Sequence, residues 1–182
     1  MTSNHSQALR KMTREYYKEE QRFNQFWIWL IVIGLAGLWV WQMVQQIFMG
    51  IPFGNNPAPD IVIILIGFFP LGAFLLFRYM RLVTIIDSDG VHYRFKPFQK
   101  KFKLIKPEDI VRYEVKKYSP IMDYGGWGIR YGSSANGTAY NVSGNQGVFF
   151  ELKNKKRFLL GTQNPDSIRY AMEKLLNKSS AS

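Results

Sequence analysis

The residues best suited to chemistry form a run of cations threaded with aromatic rings, Lys96-Pro97-Phe98-Gln99-Lys100-Lys101-Phe102-Lys103-Leu104-Ile105-Lys106, to whose field Lys116 and Lys117 can add. Such a patch attracts phosphate-rich partners. For a domain tethered beside a membrane, the first anions met are lipid headgroups and not nucleic acid, each nearby cation contributing about 1 kcal/mol within a Debye length. A solvated face carrying the usual excess of cytoplasmic cations accounts for the same charges without a specific ligand. Lys96, Lys100, Lys101, Lys103, Lys106, Lys116 and Lys117 therefore stand as candidates for anionic-lipid or partner binding.

A second motif, Gly125-Gly126-Trp127-Gly128 with Arg130 beyond it, has the glycine density of a phosphate cradle. It lacks the Lys-Ser/Thr of a P-loop and leads into strand-like sequence, where a cradle needs a helix N-terminus. Its expected role is structural: glycine permits a bent strand packed closely around Trp127, with Arg130 paired to Asp123 or Glu151. Catalytic chemistry has little material. There is no cysteine, and the histidines are His5 in the tail and His92 on a strand, so no thiolate site, metal cluster or triad is visible. Asp87 and Asp89 flank a turn serine, and Glu108 and Asp109 follow Pro107, positions that turn chemistry explains. No catalytic residue, metal ligand or cofactor is expected.

The elements that must position these residues begin with two apolar runs, Phe26 to Val44 and Ile61 to Phe77, which extend to about 26–49 and 61–80. Nineteen residues of helix cover roughly 28 Å, close to a bilayer core. The intervening Gly50-Ile51-Pro52-Phe53-Gly54-Asn55-Asn56-Pro57-Ala58-Pro59 breaks any helix. Basic residues Arg10, Lys11, Arg14, Lys18 and Arg22 precede the first run, Arg78 and Arg81 close the second, and the loop has none, so both termini are expected in the cytoplasm. Gly34 and Gly37, with Ala36, are candidates for close helix approach, but their spacing is not small-xxx-small and simple tolerance of glycine in a membrane helix is the favoured reading; Pro70 and Gly72 are candidates for a kink.

Residues 1–25 carry Leu9, Met12, Tyr16 and Phe23 at helical spacing, which predicts a cytoplasmic or interfacial helix. Residues 81–182 hold most of the net charge of +11 and predict an antiparallel meander without parallel pairing. Leu82–Asp87 and Val91–Phe95 flank the Ser88-Asp89-Gly90 turn; Phe102 and Leu104 face a core, as do Val111, Tyr113 and Val115. Further strands fall at Trp127–Tyr131, Thr138–Val142, Gln146–Leu152 and Arg157–Leu160. A closing helix starts at Asn164-Pro165-Asp166, with Ile168, Met172, Leu175 and Leu176 as its apolar stripe. Residues 179–182 are a tail.

The order of anchor, strands and closing helix resembles small bacterial membrane proteins carrying a pleckstrin-homology-like domain. The likeness rests on Tyr124-Gly125-Gly126-Trp127-Gly128-Ile129-Arg130, Ala139-Tyr140-Asn141-Val142, Gly147-Val148 with Glu151-Leu152, and Leu159-Leu160-Gly161-Thr162 before Asn164-Pro165. It implies a membrane-anchored α+β chain: a cytoplasmic segment (1–25), a two-span hairpin (26–80), and a cytoplasmic β domain (81–178) of about seven strands in a partly open barrel with a C-terminal helix. The expected function is a non-catalytic scaffold or binding protein of the bacterial inner membrane, with membrane lipids, a protein partner or a second copy as its contacts. The alternatives are an accessory subunit of a larger membrane complex and an enzyme acting on lipids.

Overall fold

The computed structural model describes residues 15–52, 54–132 and 136–179, and the chain divides into two units, one of residues 23–80 and one formed by the flanking segments together. The N-terminal stripe does not form a helix where it is described. Leu9 and Met12 lie outside the described residues, and Tyr17–Arg22 is a strand, β1, whose residues alternate between buried and exposed. The inward set is polar: Tyr17, Glu19 and Gln21.

β1 pairs antiparallel with β2 (Arg81–Asp87) over six consecutive positions, from Tyr17↔Ile86 to Arg22↔Arg81. β2 then turns at Ser88-Asp89 into β3 (Gly90–Lys96), where the Asp87 carboxylate accepts the Asp89 backbone N–H at 2.9 Å. A short β4 (Lys103–Ile105) completes a four-stranded sheet in chain order. Its phase is opposite to the expected one: Ile105 is buried while Phe102 and Leu104 are 37% and 45% exposed, so Lys103 shares the inward face.

The second sheet contains β5 (Ile110–Lys117), β6 (Gly128–Tyr131), β7 (Thr138–Asn141), β8 (Gln146–Leu152) and β9 (Arg157–Thr162) in the order β5-β8-β9-β7-β6. Instead of a closed barrel or a pure meander there are two sheets, and β7 runs parallel to β9. Because β8 lies on the far side of β9, the chain crosses that strand between β7 and β8. Val111 is skipped in the β5–β8 register and stands 61% exposed, the position of a bulge.

Central β9 is buried on both faces. Phe158 stacks on Phe150 and lies 5.8 Å from Tyr93, whereas Leu159 joins a second apolar cluster with Tyr118, Tyr124 and Ala139. The closing helix, which begins at Pro165 as expected and runs to Ser179, buries Ile168, Ala171, Met172 and Leu175.

One polar node joins these pieces. Glu19, 7% exposed, accepts hydrogen bonds from the Tyr17 hydroxyl at 2.5 Å, from Thr162 Oγ1 at 2.9 Å and from the Gln163 backbone N–H at 2.7 Å. Gln21 Nε2 reaches the Gly161 carbonyl at 2.6 Å. Burial and the Glu19 carboxylate push the Tyr17 hydroxyl well above the ordinary tyrosine range.

The other unit is a helical hairpin. Helix α1 (Phe26–Met43) continues through a π turn at Val44–Phe48; α2 (Asp60–Ile66) and α3 (Phe68–Tyr79) form the return. At 23 and 20 residues, both arms are long and apolar enough to cross a bilayer, and only 11% and 17% of their most apolar stretches are buried. Antiparallel contacts run the length of the pair: Phe23 against Phe77 at 5.3 Å, Trp29 against Phe74 at 5.5 Å, and Gln46 Nε2 to Asp60 Oδ1 at 2.8 Å.

The close approach is made at Gly67, and Gly34 and Gly37 are glycines that the helix tolerates. A Cβ at Gly34, Gly37 or Gly72 would meet nothing within 4 Å, whereas one at Gly67 would lie 2.0 Å from Trp39 Cζ2. Trp39 Nε1 donates to the Ile63 carbonyl at 2.8 Å, and the return helix breaks at Gly67, one turn before Pro70, whose ring cannot continue the ladder behind it.

Glu19→Ala is expected to cost about 3 kcal/mol, since it removes the acceptor of the Gln163 N–H and leaves the buried Tyr17 and Thr162 hydroxyls, 3.1 Å apart, with one donor between them unmet. Chemical denaturation of the full chain in detergent, with hydrogen exchange showing loss of protection across Tyr17–Arg22, checks this. Gly67→Ala is expected to destabilise helix pairing by about 1–3 kcal/mol through overpacking against Trp39. Adding Trp39→Leu should remove most of the Gly67→Ala effect in a double-mutant cycle read by thermal unfolding in micelles.

Candidate functional site

The lysine run does not form one surface. β3 ends at Lys96, and the chain folds back at once: Gln99 N–H donates to the Phe95 carbonyl at 2.8 Å while Gln99 Oε1 accepts the Phe95 N–H at 3.0 Å. The guanidinium of Arg94 lies over the Phe102 ring at 4.3 Å, and Phe98 packs 6.2 Å from Phe95. This clamp makes Lys100 and Lys101 part of an ordered, exposed loop, and among the described residues no carboxylate pairs with them or with Lys96.

The remaining lysines are engaged elsewhere. Lys106 pairs with Glu108 at 3.6 Å on an exposed turn. Lys116 sits 3.0 Å from Glu114 and over the Phe149 ring at 4.5 Å, and Lys117 is exposed beside it on β5. Lys103, turned inward by the phase of β4, carries its ammonium 5.8 Å from the centroid of the Tyr140 ring.

The glycine motif links a short helix to β6. Ser119 caps a short helix, α4 (Pro120–Tyr124), and Gly125 ends it in the left-handed region at φ 70°. Asn141, fully buried, accepts the Gly128 N–H at 2.9 Å and donates to the Tyr118 hydroxyl at 2.9 Å. Trp127 Nε1 bonds the Gly144 carbonyl at 3.1 Å. Burial pushes the hydroxyls of Tyr118 and Tyr124 up to about 12; Tyr118 accepts from Asn141, and Tyr124 donates to the Asn136 carbonyl at 3.2 Å. Arg130 does not meet its expected carboxylates. Its Nε donates to the Trp127 carbonyl at 2.9 Å, Glu151 pairs with Arg157 at 2.9 Å, and Asp123 accepts the Ser119 N–H at 2.8 Å. His92 Nε2 lies 3.1 Å from Asp87 at the open end of the β2–β3 turn.

A further feature combines cations with shape. Between the β3–β4 edge of the first sheet and the β7–β9 region of the second is an open cleft of about 760 Å3. Buried Tyr93, Tyr140 and Phe158 make its floor, with the two tyrosine rings 5.0 Å apart. Exposed Lys103, Lys156 and Arg157 make its rim. Desolvation and the neighbouring Tyr140 hydroxyl hold the Tyr93 phenol protonated well above the ordinary tyrosine range. Only Lys103 of these was a sequence candidate. The signal for the rest lies in long-range pairing, which brings Tyr93 and Tyr140 from different sheets into contact, their rings tilted by 56°.

On the outward face of the β1–β2 ribbon, Arg22 and Arg81 stand opposite each other, and Glu20 Oε1 bridges them at 2.8 and 2.9 Å. The Arg22 hydrogen bond, helped by Arg81, holds the Glu20 carboxyl below its usual range.

No family model, curated protein or solved structure matches this chain.

Because the folded state binds the Glu20 proton more weakly than the unfolded chain does, the bridge contributes stability above the ordinary carboxylate pKa. That contribution is lost as pH falls through the depressed folded value. Glu20→Gln is therefore expected to lower the melting temperature at neutral pH, and the wild-type and variant curves should converge on acidification below about pH 4, the reference carboxylate range. Thermal melts across pH check both the sign and the convergence.

Proposed function

We propose that this chain is an integral membrane protein whose two apolar helices hold a pleckstrin-homology-like β domain at the cytoplasmic membrane surface, where the domain binds a ligand or partner. The observation that carries this reading is the β1–β2 register. Residues 17–22 and 81–86 hydrogen-bond to each other over six consecutive pairs, so a membrane crossed between them is crossed an even number of times. A hairpin satisfies that parity with the two arms available. The exposed apolar side chains along both arms, such as Leu30, Ile33, Leu65 and Phe69, find a compatible solvent in hydrocarbon.

The direction of insertion follows the cations. Lys18, Arg22, Arg78 and Arg81 flank the outer ends of the arms, while residues 49–59 between them contain neither lysine nor arginine, which favours a cytoplasmic β domain. Pleckstrin-like character is supported by two packed β-sheets with a C-terminal helix docked by an apolar stripe, and binding by the basic β3–β4 loop and the inter-sheet cleft.

Reporters active on one side of the membrane only, fused in turn before residue 15 and after residue 179 of the full chain, test this. Both fusions are expected to report the cytoplasmic side. Reporters on opposite sides, or release of the chain by alkaline carbonate, would overturn the reading.

A further inference from the structure

The inter-sheet cleft has features that a mere gap between sheets does not require. Its floor is aromatic and desolvated, with Tyr93 and Tyr140 each 8% exposed and Phe158 7% exposed. Its volume of about 760 Å3 falls within the range of sites that enclose small organic molecules.

The charged residues that line it are cations; among the described residues no carboxylate lines the cleft. Arg157 is already paired with Glu151, but Lys103 and Lys156 have no carboxylate partner among the described residues. Lys103 comes from the edge of the first sheet, its ammonium 5.8 Å from the Tyr140 ring, and Lys156 comes from the β8–β9 turn of the second, so the two cations line the cleft from different elements. Thr138 and Asn154 add neutral polar groups beside them. An aromatic floor favours an apolar or ring-bearing body, and unpaired ammonium groups favour an anion. Strand addition by a peptide is a poorer fit, because β4 offers an edge of only three residues.

We propose that this cleft binds an organic anion, a phosphate or carboxylate group borne on an apolar body that rests on Tyr93, Tyr140 and Phe158 while Lys103 and Lys156 hold the charge. The proposal rests on the binding-domain reading above and specifies its ligand class. A lipid headgroup with its proximal chain and a soluble phosphate monoester share this chemistry.

The test uses the full chain in nanodiscs of zwitterionic lipid and isothermal titration calorimetry, with empty nanodiscs subtracted. Hexyl phosphate is the probe; inorganic phosphate and hexanol are its charged and apolar halves. Hexyl phosphate is expected to bind saturably and at least about tenfold more tightly than either half. The double substitution Lys103→Ala with Lys156→Ala, both exposed and harmless to the core, should weaken it by about tenfold or more. Lys100→Ala with Lys101→Ala should change it less than about twofold.

Absence of saturable hexyl phosphate binding, equal affinity for inorganic phosphate, or equal loss in the Lys100/Lys101 pair would overturn the proposal. Nanodiscs doped with phosphatidic acid identify the source: competition that disappears in the Lys103/Lys156 variant assigns the site to a membrane lipid, and its absence alongside tight hexyl phosphate binding assigns it to a soluble anion. Failure of every titration with both reporters still cytoplasmic would reject the cleft ligand and leave the membrane topology standing.

Discussion

The structure depends on one pairing, that of β1 with β2 across everything between residues 23 and 80. Loop closure of that length is less costly than it looks, because each doubling of a flexible loop adds only about 0.6 kcal/mol. Here the intervening chain is not flexible. It is an antiparallel helical pair in which Phe23 touches Phe77, so the hairpin already brings its own ends together. The ribbon and the helical pair therefore lower each other's ordering cost while having separate cores.

The inward side chains around Glu19 fix the register of that ribbon. A slip of one residue would exchange the inward set Tyr17, Glu19 and Gln21 for Lys18, Glu20 and Arg22; Glu20 could replace Glu19 as acceptor for Thr162 and Gln163, but Lys18 and Arg22 would carry charges inward where Tyr17 and Gln21 now bond Glu19 and the Gly161 carbonyl. A buried carboxylate is a poor source of net stability, since its desolvation offsets much of what its hydrogen bonds return. Its value is in specificity. The same two oxygens accept bonds from β1 itself and from the junction between β9 and the closing helix, so the first described strand and the last helix share a node. The outward neighbour, Glu20, works differently: it relieves the repulsion of two facing arginines at the surface, where solvent screens most of the effect.

What could be read from the sequence follows the distance over which each signal acts. The apolar arms, the Ser88-Asp89-Gly90 hairpin and the closing helix were legible because periodicity, turn residues and capping signals are local. β1 was missed because its inward face is polar and its partner begins at Arg81, leaving Tyr16 and Phe23 to mimic a helical stripe. The parallel β7–β9 pair was missed because strand order is decided by packing among strands that are not chain neighbours. Lys103 was recognised as a candidate, but the phase of β4 was not, because a three-residue strand gives too short a pattern to fix a face. Gly67 escaped notice because only the indole of Trp39, from the opposite arm, makes its missing side chain matter.

The seam between the sheets is where these constraints leave room. Closing it by zipping β4 onto the second sheet would bury the Lys103 ammonium against Tyr140 without a carboxylate to meet it, a cost of several kcal/mol for an unpaired charge in a dry interior. Inward lysines on edge strands commonly guard against pairing with other chains, and edge protection by itself accounts for Lys103. It does not account for Lys156, which lies off β4, nor for two buried tyrosines in contact on the floor of the cleft. Edge defence requires charge at an edge and is indifferent to the floor. An anion site requires cations from separate elements beside a surface that can hold an apolar body, and Lys103 and Lys156 line the cleft from separate elements beside its aromatic floor.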